Sequence, residues 1–399
     1  MKIAFYHHGF PGGGAERVTL DITKYLKKTE GEYEIHVLTQ ELNANIVTDE
    51  IKSLVKIIKL PDHGSPLCVI SDAVASIVDK ERYNIFVEVG NHLPDIRKIM
   101  DKYRCRLIFA HHSEPFWEKR LWIEEQNRRA ERNLIKKMHW LFIRKIQYTI
   151  FGKAVKLAAE HCLKQYNDAD AYTVLCEEYR QEFIRKMHLD PEKNKILAMM
   201  NPEYEVHDIK YDKKKQIIFV GRLTHADKRP DRLLDIWKMV QKKLPDWELL
   251  IIGDGPERDN LKNQAERLHL ERLKFEGYRT DVHEFYRNAS ILCLVSASEG
   301  WGLCLTEAQA NGVIPIALSC SGGVRQILAP SGTNGFLVKT GPGYKKRFAK
   351  TLLKVARMPE DEKMKIRQNA VKKSSGHSVD AVGKKWKELF DRLSAETIP

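Results

Sequence analysis

The clearest chemistry in the chain lies in SEGWGLCLTEAQANG, residues 298–312, where two glutamates, Glu299 and Glu307, are separated by seven residues. Gly300 and Gly302 stand between them, and glycines let a bound group approach the main chain closely. An apolar run after the second glycine predicts a helix, whose first N–H groups and partial positive charge suit a phosphate. Because a phosphate repels a carboxylate, we expect the glutamates to accept hydrogen bonds from neutral hydroxyl groups on either side of it. A ribose, a diphosphate and a sugar in this order describe a nucleoside diphosphate sugar.

The same stretch resembles the donor site of retaining glycosyltransferases of family four. Their signature is a glutamate, seven residues and a second glutamate, usually with Gly–aromatic–Gly after the first, and Trp301 supplies the aromatic residue here. The resemblance implies that Glu299 contacts the donor sugar and that Glu307 contacts the ribose. It assigns the segment between them to the donor site as well: Gly300, Trp301, Gly302 and Leu303. A surface loop and a helix that carry two solvated glutamates are the alternative interpretation.

A basic pair in the second half of the chain suits the diphosphate. The run IIFVG predicts a buried strand that ends at Gly221 and Arg222, and Lys228 precedes the next helical pattern. Cations between a strand end and a helix start are well placed to bind a diphosphate. In the family the matching arginine and lysine hold the diphosphate, and here they would stabilise the charge on the leaving group. The resemblance also places a second loop beside the nucleotide base: Gly277, Tyr278 and Arg279.

A glycine-rich loop follows the first predicted strand, KIAFY at residues 2–6, and precedes a helical pattern. A strand, such a loop and a helix open a Rossmann-like unit. The three consecutive glycines do not match the dinucleotide fingerprint, which argues against a nicotinamide site. The string GGAER is similar to the loop of family-four transferases that lies against the donor phosphates and the acceptor. The resemblance therefore places Gly13 and Gly14 in the donor site, and a flexible strand–helix connection is the alternative.

Two histidines, His111 and His112, end the strand predicted within CRLIFAHHSEP, residues 105–115. Open parallel sheets place their sites at the carboxyl ends of their strands. Family-four transferases often carry a histidine here that reaches the donor sugar and the acceptor, and His112 in HSEP fits that pattern better. His111 stays a candidate because neighbouring strand residues point to opposite faces. A histidine packed at the strand end is the third interpretation.

The order of strands and helices predicts the fold class. Buried strands alternate with helical patterns in both halves of the 399 residues, which favours an α/β chain. The resemblance implies the GT-B architecture, with two Rossmann-like domains facing a central cleft. We expect an N-terminal acceptor domain over residues 1–202 and a nucleotide-sugar donor domain over residues 203–379. A last helix, about residues 380–399, should pack back on the first domain.

A basic segment, residues 116–165, carries twelve Lys or Arg against five Glu, an excess of seven in a chain whose net charge is +13. This balance favours anionic partners. Five apolar positions of the segment recur at three- and four-residue spacing and predict an amphipathic helix: Ile135, Met138, Phe142, Ile146 and Ile150. Such a helix can lie in the interface of an anionic membrane, or it can pack on the domain core. We recognise no nucleic-acid-binding module, so nucleic acid is not an expected partner.

The cysteines give no support to a metal site. Their number, seven, is odd, and none forms a C-x-x-C pair, which favours a reduced cytosolic protein with buried thiols. The D-A-D string at residues 168–170 matches the metal-binding motif of the other transferase fold, but its surroundings do not, and we interpret it as structural. No run approaches the ~20 apolar residues of a transmembrane helix.

The resemblance implies a reaction that needs no metal ion and no cofactor beyond a UDP-sugar or GDP-sugar donor. A hexosyl group would pass, with retention of anomeric configuration, to a hydroxyl of a glycan or lipid-linked acceptor, as in cell-surface polysaccharide biosynthesis. A nucleotide-sugar epimerase on the same fold and a non-catalytic basic protein that binds nucleotides or polyanions are the alternatives. We expect the chain in the cytoplasm, with peripheral attachment to the inner face of the plasma membrane through the basic segment. The base, sugar, acceptor and linkage stay open.

Overall fold

The computed structural model describes residues 1–29, 31–62, 64–120, 122–123, 126, 138–149, 152–203, 206, 208–279 and 281–396. The chain divides into two compact units. The first unit joins Met1–Met200 to Gly383–Pro399, and the second unit is Asn201–Val382. Each unit contains one parallel β-sheet and its own buried apolar residues.

The sheet of the first unit has the strand order β3-β2-β1-β4-β5-β6-β7. Its strands are β1 Lys2–Phe10, β2 Glu34–Leu42, β3 Lys56–Lys59, β4 Ile85–Val89, β5 Arg106–Ala110, β6 Ala171–Val174 and β7 Ile196–Ala198. The central strands β4 and β5 are buried along their whole length. Their near-continuous apolar sequences are what a parallel sheet covered on both faces requires.

The helices of the first unit begin with α1, which buries Val18, Ile22 and Leu26 at four-residue spacing. The helices are α1 Gly14–Lys28, α2 Asp49–Leu54, α3 Leu67–Glu81, α4 Ile96–Tyr103, α5 Lys145–Thr149, α6 Lys153–Asp168 and α7 Glu177–Met187. A 3₁₀ turn covers Ala44–Ile46, and a π-helical turn, Trp140–Arg144, leads directly into α5.

The sheet of the second unit has the strand order β10-β9-β8-β11-β12-β13. Its strands are β8 Lys214–Val220, β9 Glu248–Ile252, β10 Leu273–Gly277, β11 Ala289–Leu294, β12 Ile314–Leu318 and β13 Phe336–Val338. Its helices are α8 Pro230–Val240, α9 Arg258–Arg267, α10 His283–Asn288, α11 Leu303–Ala310, α12 Gly322–Leu328, α13 Tyr344–Arg357 and α14 Glu360–Ser375, with a 3₁₀ turn Gln241–Lys243. Trp237 and Phe348 lie fully buried in its core.

Both sheets reverse their direction of growth at one point. In the first unit the chain builds outward from β1 to β3 and then returns to add β4 on the other side of β1. In the second unit it builds from β8 to β10 and then adds β11 beside β8. Open parallel sheets bind ligands at the carboxyl ends of the strands on either side of such a switch point. The loops after β1, β4, β8 and β11 are therefore the places to look for a site.

The last helix, α15 Val379–Ala395, supplies the first unit with its residues from Gly383 onward. The Phe390 ring packs edge-on against Phe5 of β1, with 6.4 Å between the ring centroids. The Arg106 side chain, at the start of β5, donates to the carbonyl oxygens of Leu393 and Glu396, at 3.3 and 2.8 Å. The end of the chain thus completes the core of its first unit.

The described part of the basic segment turns Trp140 and Tyr148 inward, where both are buried and pack with Ala154. Three positions of the predicted apolar stripe are instead 50%, 66% and 38% exposed: Met138, Phe142 and Ile146. The other two, Ile135 and Ile150, lie outside the described residues. The inward face is therefore aromatic and offset from the stripe that periodicity alone predicted.

The prediction of an α/β chain with two Rossmann-like domains is confirmed by these two parallel sheets. The strands expected at residues 2–6, within residues 105–115 and at the run IIFVG are all present, as β1, β5 and β8. Among the residues that the structure describes, none of the helices has the length and apolar character needed to span a bilayer.

Candidate active site

Lys228 and Glu299 form the centre of the site in the second unit. Lys228 lies in the loop between β8 and α8, and Glu299 lies in the loop between β11 and α11, so the two loops flank the switch point. The Lys228 Nζ atom donates to both carboxylate oxygens of Glu299, at 2.7 Å each. The Ser296 hydroxyl donates to Glu299 Oε1, also at 2.7 Å. The buried Glu299 carboxylate is thus neutralised and oriented by neighbouring side chains.

The main chain joins the same two loops. The Ala297 N–H group donates to the carbonyl oxygen of Asp227 at 2.6 Å. Burial lowers the pKa of Lys228, while the neighbouring acidic groups, Glu299 foremost, together raise it, and the net shift is upward. The ammonium group is therefore charged at neutral pH. No sequence signal could reveal this pair, because its members are 71 residues apart.

Arg222 follows Gly221 directly after β8, in the same loop as Lys228. Its side chain is exposed. Within the described ranges, no ion pair joins its guanidinium group to an acidic residue. The two cations that the sequence singled out therefore differ: the lysine is held in place by a carboxylate, and the arginine extends into solvent.

The helix expected at Leu303 begins there, as α11. Its N-cap residue, Gly302, has a φ of +101°, a left-handed conformation that glycine adopts without strain. Gly323, at the start of α12, packs against the same loop. A Cβ atom on Gly323 would lie 2.5 Å from the Gly300 carbonyl oxygen and 2.9 Å from the Trp301 Cα atom. Gly323 was not predicted from the sequence, since its role depends on contact with a loop that lies more than twenty residues earlier in the chain.

Glu307 lies in the second turn of α11 and is half-buried. The Tyr286 hydroxyl, from α10, donates a hydrogen bond to its Oε2 atom. Burial, and next the Glu307 carboxylate, raise the pKa of Tyr286 well above its usual value, so the hydroxyl keeps its proton. Sequence reasoning did not identify Tyr286, which lies in a separate helix.

The remaining predicted residues of this unit make contacts other than with the ion pair. Trp301 is buried, and its ring packs edge-on against His377, with 5.4 Å between centroids. Its indole therefore belongs to the interior of the unit. Gly277 ends the edge strand β10, and Tyr278 is 65% exposed. The Arg279 guanidinium pairs with Glu276 at 3.0 Å.

The two histidines of the first unit have different surroundings. His111 is buried, and its ring stacks on Tyr172 with 6.1 Å between centroids. Burial lowers its pKa to about 4, so it is neutral at physiological pH. His112 is half-buried and lies close enough to His7 to help lower the pKa of that residue, though burial has the larger effect. By burial, His112 is the better placed of the two to meet a ligand.

Gly13 and Gly14 stand at the amino end of α1, where Gly13 is the N-cap and Gly14 the first helical residue. The carboxylate of Glu16 folds back over Gly13, and a Cβ atom on Gly13 would overlap it. An acidic side chain therefore lies at the helix N-terminus, where its charge is favourable. Glu16 belongs to the GGAER string, but its position over the glycine could not be read from the sequence.

Comparison with known proteins relates the second unit to a protein family. Residues 201–373 match the family model of the glycosyl transferases group 1. The second unit carries a glycosyltransferase domain. The chain is 40% identical over 147 residues to an uncharacterised glycosyltransferase of Haemophilus influenzae, a match that covers 36% of this chain and 41% of that protein. It is 35% identical over 126 residues to the amylovoran biosynthesis glycosyltransferase AmsD of Erwinia amylovora. This match covers 31% of this chain and 35% of that protein. These matches span less than half of each relative.

Solved structures resemble the chain over nearly its whole length. The Anabaena protein HepE, in complex with UDP and glucose, superposes with a TM-score of 0.72 at 18% identity, over 98% of this chain and 100% of that one. The pneumococcal O-GlcNAc transferase GtfA, in complex with UDP and GlcNAc, superposes with a TM-score of 0.72 at 14% identity, over 99% of both chains. At this identity the likeness shows the fold, which is that of GT-B glycosyltransferases.

The glycosyltransferase domain contains every donor residue predicted from Gly221 to Glu307. His111, His112, Gly13 and Gly14 lie outside the matched region, in the first unit. The structure brings Lys228 and Glu299 into contact. Glu307 lies on α11, the helix that follows the Glu299 loop.

One group of residues in the described ranges could hold a metal ion by its spacing: Glu34, His36 and Glu81. It lies in the first unit, at the amino end of β2. Lys2 and Lys56 both pair with Glu81, at 2.5 and 3.0 Å. These ammonium groups already balance the charge of the acidic side chains.

The D-A-D string has structural partners. Asp168 accepts a hydrogen bond from His92 at 3.0 Å. Asp170 pairs with Arg97 at 3.0 Å and accepts the Leu107 N–H group at 2.6 Å. Both carboxylates are engaged in holding strands and helices of the first unit together.

Proposed function

We propose that this protein transfers a hexosyl group from a UDP-sugar or GDP-sugar to a hydroxyl of a glycan or lipid-linked acceptor, in the synthesis of a cell-surface polysaccharide. The observation that carries the proposal is the Lys228–Glu299 pair at the switch point of the glycosyltransferase domain. The names of similar proteins agree with it: one relative acts in amylovoran biosynthesis, and another is a lipopolysaccharide 1,6-galactosyltransferase of Salmonella typhimurium, 30% identical over 135 residues.

Lys228 can bind a diphosphate without leaving Glu299. An ammonium group has three N–H donors, and the described residues accept two of them, both through Glu299. The third is available to a phosphate oxygen. Arg222 and the amino end of α11 would share the remaining phosphate charge.

The two glutamates would contact hydroxyl groups at the two ends of the donor. We assign Glu299 to the transferred sugar and Glu307 to the ribose. Tyr286 occupies one oxygen of Glu307, and a carboxylate can accept several hydrogen bonds. The exposed loop from Gly277 to Arg279 would border the base, and the main chain at Gly13 and Gly14 would approach the phosphates.

The reaction we propose retains the anomeric configuration and needs no metal ion. The bond between the sugar C1 atom and the diphosphate oxygen breaks, a bond from C1 to the acceptor oxygen forms on the same face, and the acceptor proton passes to the departing diphosphate. Lys228 and Arg222 would stabilise the charge that develops on the leaving group. Glu299 is neutralised by Lys228 and serves to orient the sugar. His112 of the first unit is the residue we assign to the reacting end of the sugar.

Donor turnover in the absence of an acceptor tests this function. The full chain is incubated separately with UDP-glucose, UDP-galactose, UDP-N-acetylglucosamine and GDP-mannose, and the nucleotides are separated by chromatography. We expect slow release of UDP or GDP from one donor, and loss of that release in Lys228→Ala. A changed sugar still attached to its nucleotide would identify an epimerase. No change in any donor would contradict the proposal.

We also propose that the protein works in the cytoplasm and binds the inner face of the plasma membrane peripherally. Apolar side chains at the described end of the basic segment are 38–66% exposed: Met138, Leu141, Phe142, Ile143 and Ile146. Arg144 and Lys145 lie among them. Each basic residue near an anionic surface contributes about 1 kcal/mol, and the apolar groups add their insertion into the interface.

Flotation with liposomes tests the membrane proposal. The wild-type chain should float with phosphatidylglycerol vesicles, less so as salt increases, and little with phosphatidylcholine. Phe142→Ser should reduce flotation by several-fold, and Leu67→Ser, which alters an apolar side chain of α3 that is 61% exposed, should not. Equal recovery with both lipids, or an equal effect of both substitutions, would contradict it.

A further inference from the structure

A pocket of about 480 Å³ opens in the first unit, at the carboxyl ends of β1, β2 and β4. These strand ends include both sides of the switch point of this sheet, where a ligand is expected. Polar and aromatic side chains from separate segments line it, including His8, Gln40, Asn91, Trp117, Glu118 and His161. Its size is that of a small-molecule site, and none of these residues belongs to the donor site.

Glu118 is the residue of this pocket whose hydrogen bonding is incomplete. Its Oε2 atom is buried and has no hydrogen-bond partner among the described residues. Burial raises the pKa of this carboxyl group. A buried carboxylate oxygen without a hydrogen-bond donor lowers the stability of the folded protein. A ligand that supplies a donor regains that free energy on binding. Trp117, its neighbour, offers a half-buried ring on which the C–H face of a sugar can pack.

The charge of the pocket is unlike that of the chain as a whole. Although the net charge of the protein is +13, no lysine or arginine is among the described lining residues. His92 is held between Glu88 and Asp168, at 2.7 and 3.0 Å, so both of its ring nitrogens are engaged. Burial lowers the pKa of His161, which favours its neutral form. Among the described residues that line the pocket, a phosphate or a carboxylate would therefore find no free cation.

We propose that this pocket binds an uncharged sugar unit of the acceptor, and that Glu118 sets this preference. Its free oxygen accepts a hydrogen bond from a sugar hydroxyl. A second carboxylate, as in a uronic acid, would be repelled or would have to share a proton with it. Glu118 is thus a specificity-determining residue, while Trp117 and Asn91 shape the pocket. The inference rests on the proposed function, because it takes the acceptor to be a glycan.

Saturation-transfer NMR with the full chain tests this proposal. The probes are methyl glycosides of glucose, galactose, mannose and N-acetylglucosamine, together with methyl glucuronoside. We expect the wild-type chain to bind at least one neutral glycoside. Its affinity for the glucuronoside should be lower by about tenfold or more. In Glu118→Gln that ratio should fall to about threefold or below, because the repelling charge is gone. Glu160→Gln, at an exposed position of α6, should keep the wild-type ratio.

Three results would overturn the proposal: no neutral glycoside binds, the glucuronoside binds as well as the neutral ones, or Glu118→Gln keeps the discrimination. If Glu118→Gln unfolds, Asn91→Ala replaces it, since Asn91 is exposed in the pocket wall. It should weaken the neutral glycoside by severalfold, and unchanged binding would exclude this pocket. Donor release without acceptor should be unaffected in both variants. Glycoside binding without any donor turnover would refute the proposed function and leave the pocket assignment standing.

Discussion

The candidate ligand-binding glutamates of the two units have opposite surroundings. In the second unit Glu299 is held by Lys228 and Ser296, and Glu307 by Tyr286. In the first unit Glu118 keeps a buried oxygen without a partner in the described part of the chain. The first arrangement is ordered before any ligand arrives, as suits the nucleotide-sugar donor. The second arrangement leaves a hydrogen bond to be made by the ligand, as suits an acceptor that is selected by its sugar structure.

The strongest test of that contrast is Lys228→Ala. It removes a diphosphate contact and leaves Glu299 buried without its counter-charge. The loss of a charge-assisted hydrogen bond costs roughly 1.5–3 kcal/mol, so UDP and GDP should bind about tenfold to a hundredfold more weakly. Donor turnover should be nearly abolished. Isothermal titration calorimetry measures the affinity, and Lys215→Ala, which breaks an exposed pair with Asp246, is the matched control. Unchanged affinity in Lys228→Ala would show that the ion pair has no part in nucleotide binding.

Glu299→Gln sharpens the comparison, since it keeps the shape of the side chain and removes the charge that holds Lys228. We expect UDP affinity to rise by about threefold to tenfold, because the ammonium group can turn wholly to the phosphates. Turnover should fall, since the contact with the donor sugar is weakened. Glu248, at the start of β9, pairs with Lys274. The substitution Glu248→Gln should change neither the UDP affinity nor the turnover. Wild-type turnover in Glu299→Gln would remove it from the sugar contact.

Tyr286→Phe should have the smallest effect. It deletes one hydrogen bond to Glu307 and leaves the charge of the site intact. A typical net contribution is about 0.5–1.5 kcal/mol, so UDP and GDP should both weaken by about threefold to tenfold, and equally, because the ribose is common to them. Tyr344→Phe, in α13 of the same unit, serves as the control. A loss confined to one nucleotide would place Tyr286 near the base instead.

Local sequence was sufficient to predict features that depend on a few adjacent residues. The buried strands β4 and β5 are continuous apolar runs, and the start of α11 follows from Gly302 and the helical pattern after it. Contacts across the fold were not accessible in this way. Nothing in the sequence pairs Lys228 with Glu299. The two neighbouring histidines at one strand end differ because rings from other elements, Tyr172 and Phe183, pack on the first of them.

Pockets assembled from distant segments are the hardest to predict. Glu118 lies in the basic segment, where its single charge is hidden among many lysines and arginines. It meets the ends of β1, β2 and β4 only once the sheet has formed. In the same segment, periodicity predicted an apolar stripe through Phe142, while packing selected Trp140 and Tyr148 for the interior.

The contribution of α15 to the first unit has a consequence for how the protein is made. A ribosome releases Phe390 and Leu393 only after the whole of Asn201–Val382, so β1 and β5 must wait for the residues that pack on them. At ordinary rates of synthesis this delay is on the order of ten seconds or more. The second unit, whose chain is continuous, can fold in that interval. The unit that is synthesised first is therefore the last to be finished, and it is the one exposed to chaperones and proteases for longest.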